Sequence, residues 1–258
     1  MATNLSDIGF TAQAGPELEA LARKCHQNGH ASRCAQGLYI VWAPDGGIEL
    51  WAQLNHREEL LGLNPHFAGK TRLSARLLER VTRAGFPMDG GFRALALPYG
   101  GNPSSGALQF VFDVPNFLLH DGLGVPAIHS VQLAAFAQQC ALFENEEELR
   151  ARSRGLAFQL TLASFLPVGM WGERREPLAE PLPSALFCGP VLEATLLKNP
   201  VSKAHFWWLK VKTAAGEADV VADPELLPRG AKAGQILQCT AWLSGKLMEP
   251  QMNADNRR

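Results

Sequence analysis

The chain has 258 residues, 47% of them hydrophobic and 19% charged, with a formal net charge of −1. That is the composition of an ordinary soluble globular protein with one large domain or two modest ones. It excludes any global attraction to nucleic acid or anionic lipid, so binding of either would need a local patch.

The opening MATNLSDIGFTAQAGPELEA lacks the basic and apolar regions of a secretory signal, and no apolar run approaches the length of a membrane span. The cysteines, Cys25, Cys34, Cys140, Cys188 and Cys239, are odd in number and scattered, which suits free thiols in a reducing cytosol. A cytoplasmic protein with no membrane association is expected.

In chain order, PELEALARKCHQNG predicts a helix, with Pro16 early, acids in the first turn, basic residues late and Gly29 as the stop. The period then changes. GLYIVWAPDGGIELWAQL predicts strands at 38–43 and 48–54 about an Asp45-Gly46 turn. TRLSARLLERVTRAG sets Leu73, Leu77, Leu78 and Val81 at helical spacing and is read as a helix, with strand propensity as the competing signal. FRALALP and GALQFVFDVP predict strands joined by the loop YGGNPSSG. HSVQLAAFAQQCALF fits a buried helix or a strand. ENEEELRARSRG predicts a helix, acidic at its start, basic at its end and stopped at Gly155. LAFQLTLASFLPVGM returns to strand composition.

WGERREPLAEPLP, residues 171–183, has the prolines and charges of a linker or surface strap. It sets the expected division: a β-rich α+β domain at 1–170, a Pro-rich linker at 171–187, a small barrel at 188–250 and a tail at 251–258. Within the barrel, GPVLEATLLKN, AHFWWLKVKTA, EADVVADPELL and GQILQCTAWLSGKL predict strands. No internal repeat is visible. The expected fold class is α+β and β-rich, an antiparallel sheet domain with a few helices followed by a C-terminal small β-barrel.

These last strands resemble an oligonucleotide/oligosaccharide-binding barrel, in which a short meander closes on itself. PRGAKAG departs from that pattern, being too short for the helix usual between the third and fourth strands. The segments VQLAAFA, SFLP, DVVADPELLP and WLSGKL are similar to a family of uncharacterised bacterial proteins. That resemblance implies a bacterial, cytoplasmic origin and carries no activity.

Catalytic and metal chemistry find little support in the motifs. CHQNGHASRC clusters Cys25, His26, His30 and Cys34, but its spacing is wrong for zinc because Gly29 ends the helix between the histidines. HFAGKT imitates a phosphate-binding loop, yet Asn64 stands where the first glycine belongs, so Lys70 and Thr71 are read as solvated loop residues. Ser104 and Ser105 lack the GxSxG elbow. His120-Asp121 and His129-Ser130 are adjacent only in sequence. Asp89, Asp113 and Glu144 could pair in space, though their spacing does not select them. No metal and no cofactor are expected.

HFWWLKVK is the most informative stretch. On a strand, Phe206, Trp208, Lys210 and Lys212 share one face while Trp207, Leu209 and Val211 share the other. Trp242, on the outward phase of the last strand, can extend either of the surfaces that two alternative hairpin registers would make. A two-residue turn at Ala215-Gly216 would set Lys212 against Asp219, Lys210 against Val221 and Trp208 against Asp223. A three-residue turn would instead set Ala218, Val220 and Ala222 on that face and leave an aromatic, mildly basic groove. The competing structural reading buries Phe206 and Trp208 against the first part of the chain.

The expected function is a non-enzymatic cytoplasmic binding protein whose partner is another protein, as an adaptor, inhibitor or immunity-type factor. Its binding residues would be Phe206, Trp208, Lys210, Lys212 and Trp242. Single-stranded nucleic acid binding by the same residues is the alternative, and a hydrolase with an unrecognised site is a third reading. Neither the partner nor the oligomeric state is written in the sequence.

Overall fold

The computed structural model describes residues 3–12, 15–97, 108–154, 161–171 and 178–248. The loop YGGNPSSG with its serines, Gly155, residues 172–177 of the linker and the tail after Met248 lie outside these described residues.

Helix α1 (Pro16–Asn28) begins with Pro16 in its first turn beside Glu17 and Glu19, and buries Leu21, Ala22 and Cys25. Four antiparallel strands follow in order as one sheet: β1 (His30–Cys34), β2 (Gly37–Trp42), β3 (Ile48–Leu54) and β4 (Leu60–Phe67). Every residue of β3 is buried. Its even-numbered positions, Leu50 and Ala52 among them, share a core with Leu21 and Cys25 of α1. Its odd-numbered positions turn the other way, toward a second and larger sheet: Trp51 shares a cluster with Met88, and Gln53 reaches Asp89.

That larger sheet contains β5 (Leu73–Arg83), β6 (Phe86–Ala96), β7 (Leu108–Asp113), β8 (Ala127–Phe143), β9 (Ser164–Leu166), β10 (Ser184–Lys198), β11 (His205–Thr213), β12 (Gly216–Ala222) and β13 (Ile236–Met248). Helix α2 (Glu146–Ser153) follows β8, capped by the Asn145 side chain. The protein is therefore α+β and β-rich. The four-stranded sheet is antiparallel, as expected, but the larger sheet is mixed, since β12 runs parallel to β8 and β7 parallel to β13.

The segment TRLSARLLERVTRAG is strand β5, not a helix. Its spacing of four is also a multiple of two, so Leu73 and Leu77 fit a strand as well as a helix, and Ala75 between them is buried with them. The ambiguous HSVQLAAFAQQCALF is strand β8. Residues 131–137 within it are all buried because both of its faces are covered.

The pairings repeat. β5, β6 and β7 form an antiparallel meander, a 3-10 turn at Phe117–His120 follows, and β8 returns to pair with β5. β10, β11 and β12 form a second meander, a 3-10 turn at Pro224–Leu226 follows, and β13 returns to pair with β10. The third strand of each unit then runs parallel to the last strand of the other. The two last strands pair with each other over most of their length. The sequence shows no such repeat, yet the topology has one. Two rings of pairings result, β5-β6-β7-β13-β8 and β10-β11-β12-β8-β13, which share the β8–β13 ladder. Serving two rings requires long strands, and β8 and β13 have 17 and 13 residues. One apolar core runs through both units, from Phe92, Phe110 and Phe112 to Leu209, Val211 and Val220. Strands from both sides of residues 171–187 thus share a single sheet.

Candidate functional site

The aromatic strand β11 alternates as the sequence predicts, but both faces are covered. Leu209 and Val211 point into the core of the sheet. Phe206 and Trp208, 0% and 4% exposed, pack beneath Leu5, Ile8 and Phe10 and against Phe67 of β4. The covering segment is held by Asn199, whose Nδ2 donates to the Ile8 carbonyl at 2.7 Å, and by the Asp223 amide, which donates to Asp7 Oδ1 at 2.9 Å. These two aromatic rings therefore offer no face to a base or to a partner.

Below them lies a buried polar knot. The Asp219 carboxylate, wholly buried, accepts from the Lys70 and Thr71 amides at 3.1 and 2.9 Å, from Thr71 Oγ1 at 2.7 Å and from Trp208 Nε1 at 2.8 Å. HFAGKT is thus an anion-holding loop after all, and the anion is the chain's own Asp219. Thr71 is buried rather than solvated. A Cβ at Gly69 would lie 2.1 Å from the Asp219 carboxyl carbon, so only glycine lets the loop approach this closely. Lys70 lies over the Trp208 ring at 4.4 Å and pairs with Glu193 at 3.2 Å.

Gln132 Nε2 extends the network to Asp219, while Gln132 Oε1 and Ser244 Oγ lie 2.7 and 2.8 Å from the two ring nitrogens of His66. Burial lowers the pKa of His66 to about 4, so the ring is neutral and bridges β4 to the β8–β13 ladder. Ser244 and His66 are both 0% exposed, and their bond joins the two sheets.

The hairpin joining β11 to β12 turns at Ala214-Ala215, with Thr213 opposite Gly216. Lys210 faces Asp219, Lys212 faces Glu217 and Trp208 faces Val221. Neither expected register is the one adopted, though the parity is that of the charge-neutralised alternative. Lys210 Nζ lies 3.0 Å from Glu217 and 3.8 Å from Glu193, and the Glu217 bond raises its pKa. Lys212 is exposed. A face so compensated is a poor track for phosphates.

Trp242 is half-buried, stacks at a tilt on Phe136 with ring centres 5.1 Å apart, and donates to Asp113 Oδ2 at 3.0 Å. It belongs to a separate cleft of about 180 Å³ between the sheets, lined by Asn64, Arg83, Asp89, Asp113 and Ser244. Of the three carboxylates singled out in the sequence, this cleft unites Asp89 and Asp113 but not Glu144. Burial raises the pKa of Asp113 against the pull of Arg83. Asp89 accepts from Gln53 and Asn64 at 2.6 and 2.7 Å. The five predicted binding residues are thus dispersed, with two buried, one ion-paired, one exposed and one in this cleft.

The open aromatic of the strand is Trp207, on the opposite face. It is half-buried and borders two adjoining grooves of about 470 Å³ each. Leu227 and Pro228 line both. On one side stand Leu196 and His205, and on the other Cys140, Leu142 and the charged rim. That rim mixes signs. Glu144 pairs with Lys232 at 3.0 Å and accepts from Gln235 at 2.7 Å, bonds that lower its pKa, and Glu148 pairs with Arg152 at 3.3 Å. The alternation of HFWWLKVK assigned Trp207 to the face opposite Phe206 and Trp208. That this face opens at the strand's start has no local signal in the residues, since the opening is made by the 223–235 connection and the end of β8.

Cys25 Sγ lies 3.3 Å from the Ile40 and Leu50 carbonyls beneath α1, whereas His30 and Cys34 belong to β1. Arg80 holds Asp121 and the His120 carbonyl. Among the described residues no helix is long and apolar enough to cross a membrane. No protein-family model, curated protein or solved structure matches the chain.

Proposed function

We propose that the chain is a non-enzymatic binding protein that holds an extended segment of a partner protein in the groove at Trp207, as an adaptor, inhibitor or immunity-type factor would. The observation that carries this reading is the placement of Trp207, a half-exposed aromatic where two adjoining grooves meet, flanked by Leu227 and Pro228. Buried aromatic anchors ringed by polar groups dominate the energetics of protein interfaces. The ring β10-β11-β12-β8-β13 is read as an oligonucleotide/oligosaccharide-binding-like small barrel whose fifth strand, β8, comes from upstream in the chain. Pro224–Leu226 supplies a one-turn helix where that fold has its helix. The face such barrels offer to ligands, on their second and third strands, is here covered by residues 5–10, which argues against nucleic acid. Five free thiols favour a cytoplasmic setting.

The test is selection of displayed peptides on the immobilised protein, followed by titration of the winners and of a single-stranded oligothymidylate, with tryptophan fluorescence as the readout. Peptides are expected to bind, Trp207→Ala to weaken them roughly tenfold or more, and the oligonucleotide to leave the signal unchanged. Peptide affinities indifferent to Trp207→Ala, or salt-sensitive oligonucleotide binding, would overturn the proposal.

A further inference from the structure

Cys140 of β8 and Cys239 of β13 stand directly opposite each other in the antiparallel ladder, with their sulfurs 3.5 Å apart and both thiols free. Directly opposed residues of an antiparallel pair have Cα atoms about 4.5–5.5 Å apart, inside the range of about 4.4–6.8 Å that a disulfide spans. Closing a bond here asks for side-chain rotation rather than movement of a strand. The two sulfurs differ in access. Cys239 is wholly buried in the core, whereas Cys140 is half-buried and lines the groove beside Trp207, where a small solute can reach it. The other three cysteines lie on different elements: Cys25 on α1, Cys34 on β1 and Cys188 on β10.

We propose that Cys140 and Cys239 form a redox-active pair that hydrogen peroxide converts to a cross-strand disulfide. The Cys140 thiolate attacks one peroxide oxygen, the O–O bond breaks, and the departing oxygen leaves as water after taking up a proton. The sulfenic acid left on Cys140 then meets the Cys239 thiol, the S–S bond forms, and the sulfenic hydroxyl leaves with the thiol proton as a second water. Two thiols are oxidised by two electrons in all and one peroxide is reduced to two waters, so the reaction balances without a further reactant. A dithiol reductant reverses it by exchange.

The bond would lie in the ladder that both rings share and at the wall of the groove. Its chemistry is independent of any ligand there, so the test stands whether or not the groove binds peptides. Native protein is treated with hydrogen peroxide, then quenched, and its thiols are counted and its disulfides mapped by peptide mass spectrometry. The count is expected to fall from five to three, with a peptide joining residues 140 and 239 that dithiothreitol releases. Cys140→Ser, at the more exposed member, should abolish the joined peptide and keep Cys239 reduced, whereas Cys34→Ser should leave the pair's oxidation unchanged. Retention of all five thiols, linkage through any other cysteine, or separate over-oxidation of Cys140 with no joined peptide would each overturn the proposal.

Discussion

Asp7 shows how much one buried carboxyl can set the pH response of a protein. It is 0% exposed; Oδ1 accepts the Asp223 amide while Oδ2 finds no hydrogen-bond partner among the described residues. Burial raises its pKa from 3.8 to about 8, and the neighbouring Asp223 charge adds to the rise. The folded state thus keeps a proton that the unfolded chain gives up above about pH 4, and stability falls as pH rises from about 4 to about 8. His66 acts in the opposite direction over a lower window. Its folded pKa near 4 against an ordinary 6.5 means that stability is lost as pH falls through that interval. Above pH 6.5 only the Asp7 contribution of the two still changes. Asp7→Asn keeps an oxygen for the Asp223 amide and removes the ionisation. Thermal melts from pH 6.5 to 8.5 should show a falling midpoint for the wild type and a flatter line for Asp7→Asn, several degrees higher at the alkaline end. Parallel curves would mean that Asp7 ionises freely in the fold.

At the scale of elements, local pattern carried the reading wherever one period dominated. α1, β2, β3 and α2 are found where their caps, turns and alternation set them, and β10 to β13 lie on the four segments marked as strands. Pattern failed at β5, where a spacing of four satisfied both periods, and could not choose for β8, where burial on two faces erases alternation. The hairpin register was equally hidden, because the turn falls at Ala214-Ala215, a pair with no turn signature, next to Gly216 at φ 122°. The candidate site was only partly legible. The strand alternation placed Trp207 correctly, but which face stays open depends on residues 5–10, some two hundred positions upstream. The strand assignment of β5 makes its own demand. Leu77 is fully buried while Leu78 points to the half-exposed side. Leu77→Ala should cost about 2–5 kcal/mol as a core truncation, and Leu78→Ala clearly less. Denaturant unfolding with unchanged m-values measures both, and equal losses would contradict the alternation.

The topology of the whole molecule determines how it can be divided. A linker-like composition at 171–183 suggested two parts, yet β8 on one side completes the ring of the other, and β13 repays the exchange. Within the intervening stretch, the Leu178 and Leu182 amides bond to Met170 and Gly169, and Arg83 reaches the Pro181 carbonyl at 2.6 Å. Among the described residues of that stretch, 178–183 lie against the sheet as a strap, and composition alone cannot tell a strap from a hinge. The polar bonds of His66, Glu49 and Asn64 then tie the smaller sheet to the larger. Residues 178–248 made alone would leave β12 without its parallel neighbour and β13 without its longest pairing, exposing the apolar faces of Leu237, Cys239 and Ala241. That fragment is expected to lack cooperative unfolding and to aggregate, and residues 1–171 made alone should do the same. Co-expressed, the two should assemble into a soluble one-to-one complex whose circular dichroism matches the intact chain. The intact chain should melt in a single calorimetric transition with equal van't Hoff and calorimetric enthalpies. A fragment 178–248 that folds and melts cooperatively by itself would show that the β10–β13 meander closes without β8, and the shared ladder would then be a contact between domains rather than the spine of one.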